Sequence, residues 1–202
     1  MNQNLRGIQS AASILVVFFY ISMAMAVATI AANSAFLANY EFPSPVDGIK
    51  FHEVVSLLGI LVLVVNAIFW SRWIYIASKN LWDLFPGEMT FTPASCIWWN
   101  LVPIALLFKP YQAMREIHGM SVGESTDYTA SDKSLLTLWW GCWIAGAILG
   151  QVSWRLPESG TVSVDLISAF VSLGLFWFAR QLVNEITEAQ LSGKTGLSEV
   201  FA

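Results

Sequence analysis

Few side chains in this sequence have the chemistry to bind or transform anything, and most of them lie inside apolar runs. Asn66 and Asn100 are the uncharged polar residues set deepest among aliphatic and aromatic neighbours. An amide in hydrocarbon is costly until it finds a partner. One reading brings both to a common site for a small polar group or water. The other has each amide satisfy a backbone carbonyl freed by Pro103, or join two helices. Arg72 and Asn80 complete the candidate polar or ligand-binding set. Lys79, Lys109, Tyr111 and Arg115 suit a lipid headgroup, against the plainer reading of basic residues decorating one membrane face.

His52 and His118 are the only histidines, and a bis-histidine haem would need both on one membrane face. Cys96 and Cys142 sit in apolar stretches, which suits free thiols filling space rather than a disulfide or a zinc site. Trp98 with Trp99, and Trp139, Trp140 and Trp143, form aromatic packing surfaces, most simply interfacial belts. A flat surface receiving a pigment, a quinone or a partner helix is the alternative. No HExxH, GxSxG or P-loop occurs, and no predicted span holds paired carboxylates. No catalytic residue, metal or cofactor is therefore expected, with haem or a pigment as the minor alternative.

The elements that must position these residues follow from composition. Of 202 residues, 56% are hydrophobic and 12% charged, whereas a soluble domain carries about a quarter charged residues. This composition specifies a single integral membrane domain, and the dispersed formal charge of -4 gives nucleic acid no basic surface.

Charge-poor stretches predict spans at residues 10–32, 53–76, 134–152 and 162–183. A linker at 78–92 carries the Pro86-Gly87 turn. Residues 109–118 read as a short interfacial helix, with Tyr111, Met114 and Ile117 at helical spacing. Residues 119–132 read as a polar loop and 184–202 as a frayed tail. Gly146 and Gly150 form a GxxxG, a motif common to many membrane helices. Asp165 could pair with Arg155 near one end of the last span.

Residues 93–110 are the ambiguous part: apolar, with proline at both ends and Pro103 inside. Sixteen helical residues cover about 24 Å, short of the roughly 30 Å hydrocarbon core, and Pro103 removes a donor and kinks the helix. If the segment crosses, the chain has five spans, and the ten Lys and Arg residues split four against six. If it is re-entrant, four spans remain. Arg6, Arg72, Lys79, Lys109, Arg115, Lys133, Arg180 and Lys194 then share one face, against Lys50 and Arg155. The positive-inside rule favours this second arrangement, with both termini cytoplasmic. The two histidines then lie on opposite faces, too far apart for one haem.

Trp73-Ile74-Tyr75, Lys79-Asn80, Phe91-Thr92-Pro93, Trp99, Val102-Pro103-Ile104-Ala105 and Lys109 to Glu116 (KPYQAMRE) together resemble the core of a bacterial family of small multi-span membrane proteins catalogued as a domain of unknown function. Ile186-Thr187 and Gln190 are similar to its ending. The chain departs from the family pattern at Ile76, Asn100 and Leu106, which bears on any site built from the family's polar positions. The resemblance implies an all-α membrane fold and brings no activity with it.

These observations predict four transmembrane helices, a re-entrant or broken central segment and an interfacial helix. The function expected is a non-enzymatic, accessory or scaffolding subunit of a larger bacterial inner-membrane complex, with the bilayer and other membrane proteins as partners. The alternative is a small-solute or lipid transporter or channel whose pathway is lined by residues 93–110. A lipid-acting enzyme, lacking any nucleophile or metal set, ranks last.

Overall fold

The computed structural model describes residues 3–40, 42–122 and 130–192. Six α-helices follow in order: α1 (Gln3–Leu37), α2 (Phe51–Leu84), α3 (Ser95–Trp98), α4 (Lys109–Val122), α5 (Ala130–Ser153) and α6 (Glu158–Ser192). Four of them carry stretches long and apolar enough to cross a membrane: Gly7–Leu37, Phe51–Leu84, Leu135–Ser153 and Gly160–Ser192. Helices suit this setting because every backbone donor and acceptor is satisfied within the segment. The chain is an all-α, multi-pass membrane protein.

Between Pro93 and Pro110 the backbone makes α3, then two 3-10 turns at Trp99–Leu101 and Ala105–Leu107. No single helix runs the length of this segment. Val102, just before Pro103, is extended (φ -97°, ψ 113°), as a residue preceding proline prefers.

The long helices outrun the predicted spans. The 35 residues of α1 would measure about 52 Å at 1.5 Å per residue. α2 continues through Leu84, into the predicted linker, because its apolar stripe continues. Trp73, Ile74, Ala77, Ser78 and Leu81 are all buried, at the spacing of one helix face. The charges that made this stretch resemble a linker lie on the other side, where Lys79 and Asp83 pair across one turn at 3.8 Å.

α6 corrects the predicted tail in the same way. Helix continues nine residues past Val183 to Ser192, and Ile186, Thr187 and Gln190 are buried. Residues 193–202 lie outside the described residues. The predicted 109–118 helix runs to Val122 and buries His118, Gly119 and Ser121, so the first residues of the predicted loop are helical. The remainder of that loop, 123–129, lies outside the described residues.

Helix ends carry identifiable caps. The Tyr40 N–H donates to Ala35 O (2.9 Å) and the Asn39 N–H to Phe36 O (3.0 Å), with Asn39 at φ 58°. This is a left-handed C-terminal stop in which asparagine takes the usual place of glycine. At the start of α2, the Glu53 carboxylate accepts the Lys50 N–H at 2.9 Å, the return half of a capping box. The turn after α2 places Gly87 at φ 88°, a conformation costly for other residues.

The chain divides into two compact units. The first comprises the described residues of Met1–Val16, Ala67–Thr137 and Ala179–Ala202; the second, Val17–Asn66 and Leu138–Phe178. Trp73, Leu81, Met114, Ile117, Leu182 and Ile186 are fully buried in the first. In the second, Phe19 lies against Phe176 at 5.8 Å between ring centroids, and Val55, Trp139, Val162 and Ala169 are buried.

Candidate functional site

In the first unit, the polar residues of α2, α4 and α6 converge on Gln190. Its Nε2 donates to Ala77 O (3.2 Å) and Ser121 Oγ (2.9 Å), and its Oε1 accepts from Asn80 Nδ2 (3.1 Å). One turn along the same faces, the Trp73 indole N–H donates to Thr187 Oγ1 at 3.2 Å. Trp73, Ala77 and Asn80 share one face of α2, and Thr187 and Gln190 stand three apart on α6. All five are buried. The result is a polar seam joining three helices, the arrangement that low-dielectric surroundings demand of buried amides.

His118 lies beside this seam, fully buried, with Nε2 3.3 Å from a Glu185 carboxylate oxygen. Cys96 is also fully buried, with its thiol 3.5 Å from Ser78 Oγ. Burial pushes the Cys96 thiol above its usual range; the Ser78 hydrogen bond works against this, and the charge of Glu116 adds to it.

Glu116 fastens the turn after α2 to α4. Its two oxygens accept the Thr90 N–H (2.6 Å) and the Phe91 N–H (3.0 Å), charge-assisted bonds stronger than neutral ones. Beside it, the Lys109 ammonium stands over three rings: Phe91 at 5.3 Å, Trp99 at 5.8 Å and Phe108 at 5.8 Å. An open cleft of about 650 Å³ runs along this edge, with Glu88, Thr90, Lys109, Gln112, Arg115 and Glu116 among its lining residues.

The second unit uses its polar groups differently. Asn66 Nδ2 donates to Ser22 Oγ (2.6 Å) and Val62 O (3.0 Å), linking α2 to α1, while its Oδ1 is buried without a hydrogen-bond partner. The His52 ring packs on Phe36 at 4.3 Å, and the Lys50 ammonium stands over the same Phe36 ring at 5.1 Å. Asp165 accepts from Ser153 at 2.8 Å, rather than pairing with Arg155.

The candidates singled out by sequence are thus distributed. Asn80 belongs to the seam, and Lys109 and Arg115 to the cleft wall. Lys79 pairs with Asp83, Arg72 is exposed, and Tyr111 is half-buried outside the cleft lining. Asn100 Nδ2 donates to two carbonyls of its own turn, Cys96 O (3.0 Å) and Ile97 O (3.1 Å). Trp98 is exposed and Trp99 faces Lys109. Trp139 is buried, its ring 5.7 Å from Trp140, which stacks on Trp143 at 6.4 Å. Among the described residues, no three His, Cys, Asp or Glu side chains gather to hold a metal ion.

Gln190, Ser121, Glu116 and the His118–Glu185 pair were not identified as site residues from sequence. The available signal was polar residues at three- and four-residue spacing within helices that extend beyond the apolar spans.

Residues 47–188 match the family described as Domain of unknown function (DUF4328). No curated protein and no solved structure matches the chain.

Proposed function

The chain belongs to the DUF4328 family, and from that membership and its geometry we propose a non-enzymatic scaffold or accessory subunit of a bacterial inner-membrane complex. Both termini face the cytoplasm, and residues 93–110 enter the bilayer from that face without crossing it. The carrying observation is how little of the spans the chain covers itself. The most apolar windows of the four are 22%, 11%, 11% and 17% buried. Polar groups that a transport pathway would display are instead turned to joining helices, as with Asn66 to Ser22 and Asn80 to Gln190.

The glycines of α5 support the same reading. A Cβ built on Gly146 or Gly150 meets nothing within 4 Å. The GxxxG therefore makes no close approach to any other described residue and is open to a helix from elsewhere.

Extraction in a mild detergent, followed by mass spectrometry of co-purifying proteins, tests this directly. A stoichiometric set of membrane proteins, lost when Gly146 and Gly150 are replaced by leucine, is the expected result. Purification alone with solute flux in proteoliposomes, abolished in Asn100→Ala, would replace it with the transporter reading. Cysteines placed at the exposed positions 92 and 112, which flank the segment, test the topology: an impermeant maleimide should reach both from the same side.

A further inference from the structure

We propose that the cleft between the Thr90–Phe91 turn and α4 holds the phosphate diester of a membrane phospholipid, with the acyl chains lying along the apolar ridge beside it. Lys109, Gln112 and Arg115 all line the cleft, and their three-residue spacing sets them along one side of α4. Together they present an ammonium, an amide and a guanidinium, a donor set suited to phosphate oxygens. Of the two carboxylates in the wall, Glu116 is already held by two backbone N–H groups, and Glu88 is exposed. The Lys109 ammonium is fixed over its three rings, with Phe108 directly before it in the chain.

The ridge decides the occupant. Trp98, Leu101, Ile104 and Leu107 recur every three residues and are 62%, 68%, 76% and 54% exposed. Phe108 and Lys109 follow Leu107 directly in the chain, and the Lys109 ammonium stands over the Phe108 ring, so exposed apolar side chains lead in sequence into the polar recess. That matches an amphiphile with a phosphate at one end, whereas a free phosphate would use the recess and leave the ridge idle. The site rests on the proposed seating of residues 93–110 in the bilayer, which cysteine accessibility tests separately.

The experiment titrates phosphatidylglycerol into the full chain in non-ionic detergent and counts bound lipid by native mass spectrometry. One saturable lipid is expected. Arg115→Gln and Lys109→Gln should each weaken it about tenfold, the effect of losing roughly 1.4 kcal/mol of interaction. Glu88→Gln should tighten it severalfold by removing a like charge, and Leu101→Ser with Ile104→Ser should weaken it. Arg155→Gln, at a residue that does not line the cleft, should bind as the native chain does. Arg115 is exposed, so its replacement leaves the fold intact and decides the matter even if Lys109→Gln misfolds. Unchanged binding in Arg115→Gln overturns the proposal. So does inorganic phosphate competing at the same concentration as the lipid, or a co-purified protein covering the ridge with no lipid retained. Failure of lipid binding with positions 92 and 112 still labelled from one side would reject the site and leave the topology standing.

Discussion

Replacing Gln190 by leucine tests whether the buried seam holds three helices together. The substitution removes the donations to Ala77 O and Ser121 Oγ and strands Asn80 Nδ2, on a residue 5% exposed. Three hydrogen bonds at about 1 kcal/mol each, with about 1–3 kcal/mol for the stranded donor, set an upper range near 4–6 kcal/mol. Interhelical bonds in membrane proteins average about 0.6 kcal/mol, because the unfolded helices also find partners. A loss of about 2–4 kcal/mol is therefore expected. Asn80→Leu removes one of these bonds and strands Gln190 Oε1, for about 1–3 kcal/mol. In the double variant neither amide is left facing an absent partner, so its loss should fall short of the sum by about 1–2 kcal/mol. Unfolding by sodium dodecyl sulfate in mixed micelles, followed by far-ultraviolet circular dichroism, measures all four corners of the cycle. Losses that add to within about 0.3 kcal/mol would refute the coupling and reduce the seam to independent contacts.

Glu116→Ala should destabilise the chain by about 2 kcal/mol, the scale of hydrogen bonds to a charged group. It should also raise amide exchange at Thr90 and Phe91, while Glu116→Gln, keeping one acceptor oxygen, recovers about half of the loss; unchanged exchange would deny the tether. Cys96, buried and with its thiol pushed up by that burial, should react with maleimide at neutral pH only after the protein is unfolded, because thiolate is the reactive form. Rapid labelling in the folded state, read by mass spectrometry, would contradict its position in the core. Replacing Gly146 and Gly150 by alanine should leave the isolated chain as stable as before or more so, by up to about 1 kcal/mol per site from helix propensity, since a Cβ there meets open space. A clear loss of stability in the same detergent assay would show that α5 packs closely at those glycines.

How far the sequence discloses this structure depends on whether a feature is local. The four spans are legible because an apolar run long enough to cross a bilayer has few other uses, and the break at 93–110 is legible because proline acts on its own turn. The continuation of α2 past its span was obscured by Lys79 and Asp83. Their charges lower the hydropathy of a window without disturbing the helical period, which Trp73, Ala77 and Leu81 carry through on the buried side. α6 presents the same case: Glu185 and Glu188 make residues 184–192 read as a polar tail while Ile186 and Gln190 are buried. The pairings themselves were beyond reach. Asn66 declares that a buried amide needs a partner, yet nothing local selects Ser22, 44 residues away, over other hydroxyls in the spans. Asn80 and Gln190 are 110 residues apart, and only the packing of α2 against α6 brings them into contact. Hydropathy registers how polar a stretch is, and periodicity registers which side of the helix is polar. At the ends of these helices the two signals disagree, and periodicity is the one that follows the packing.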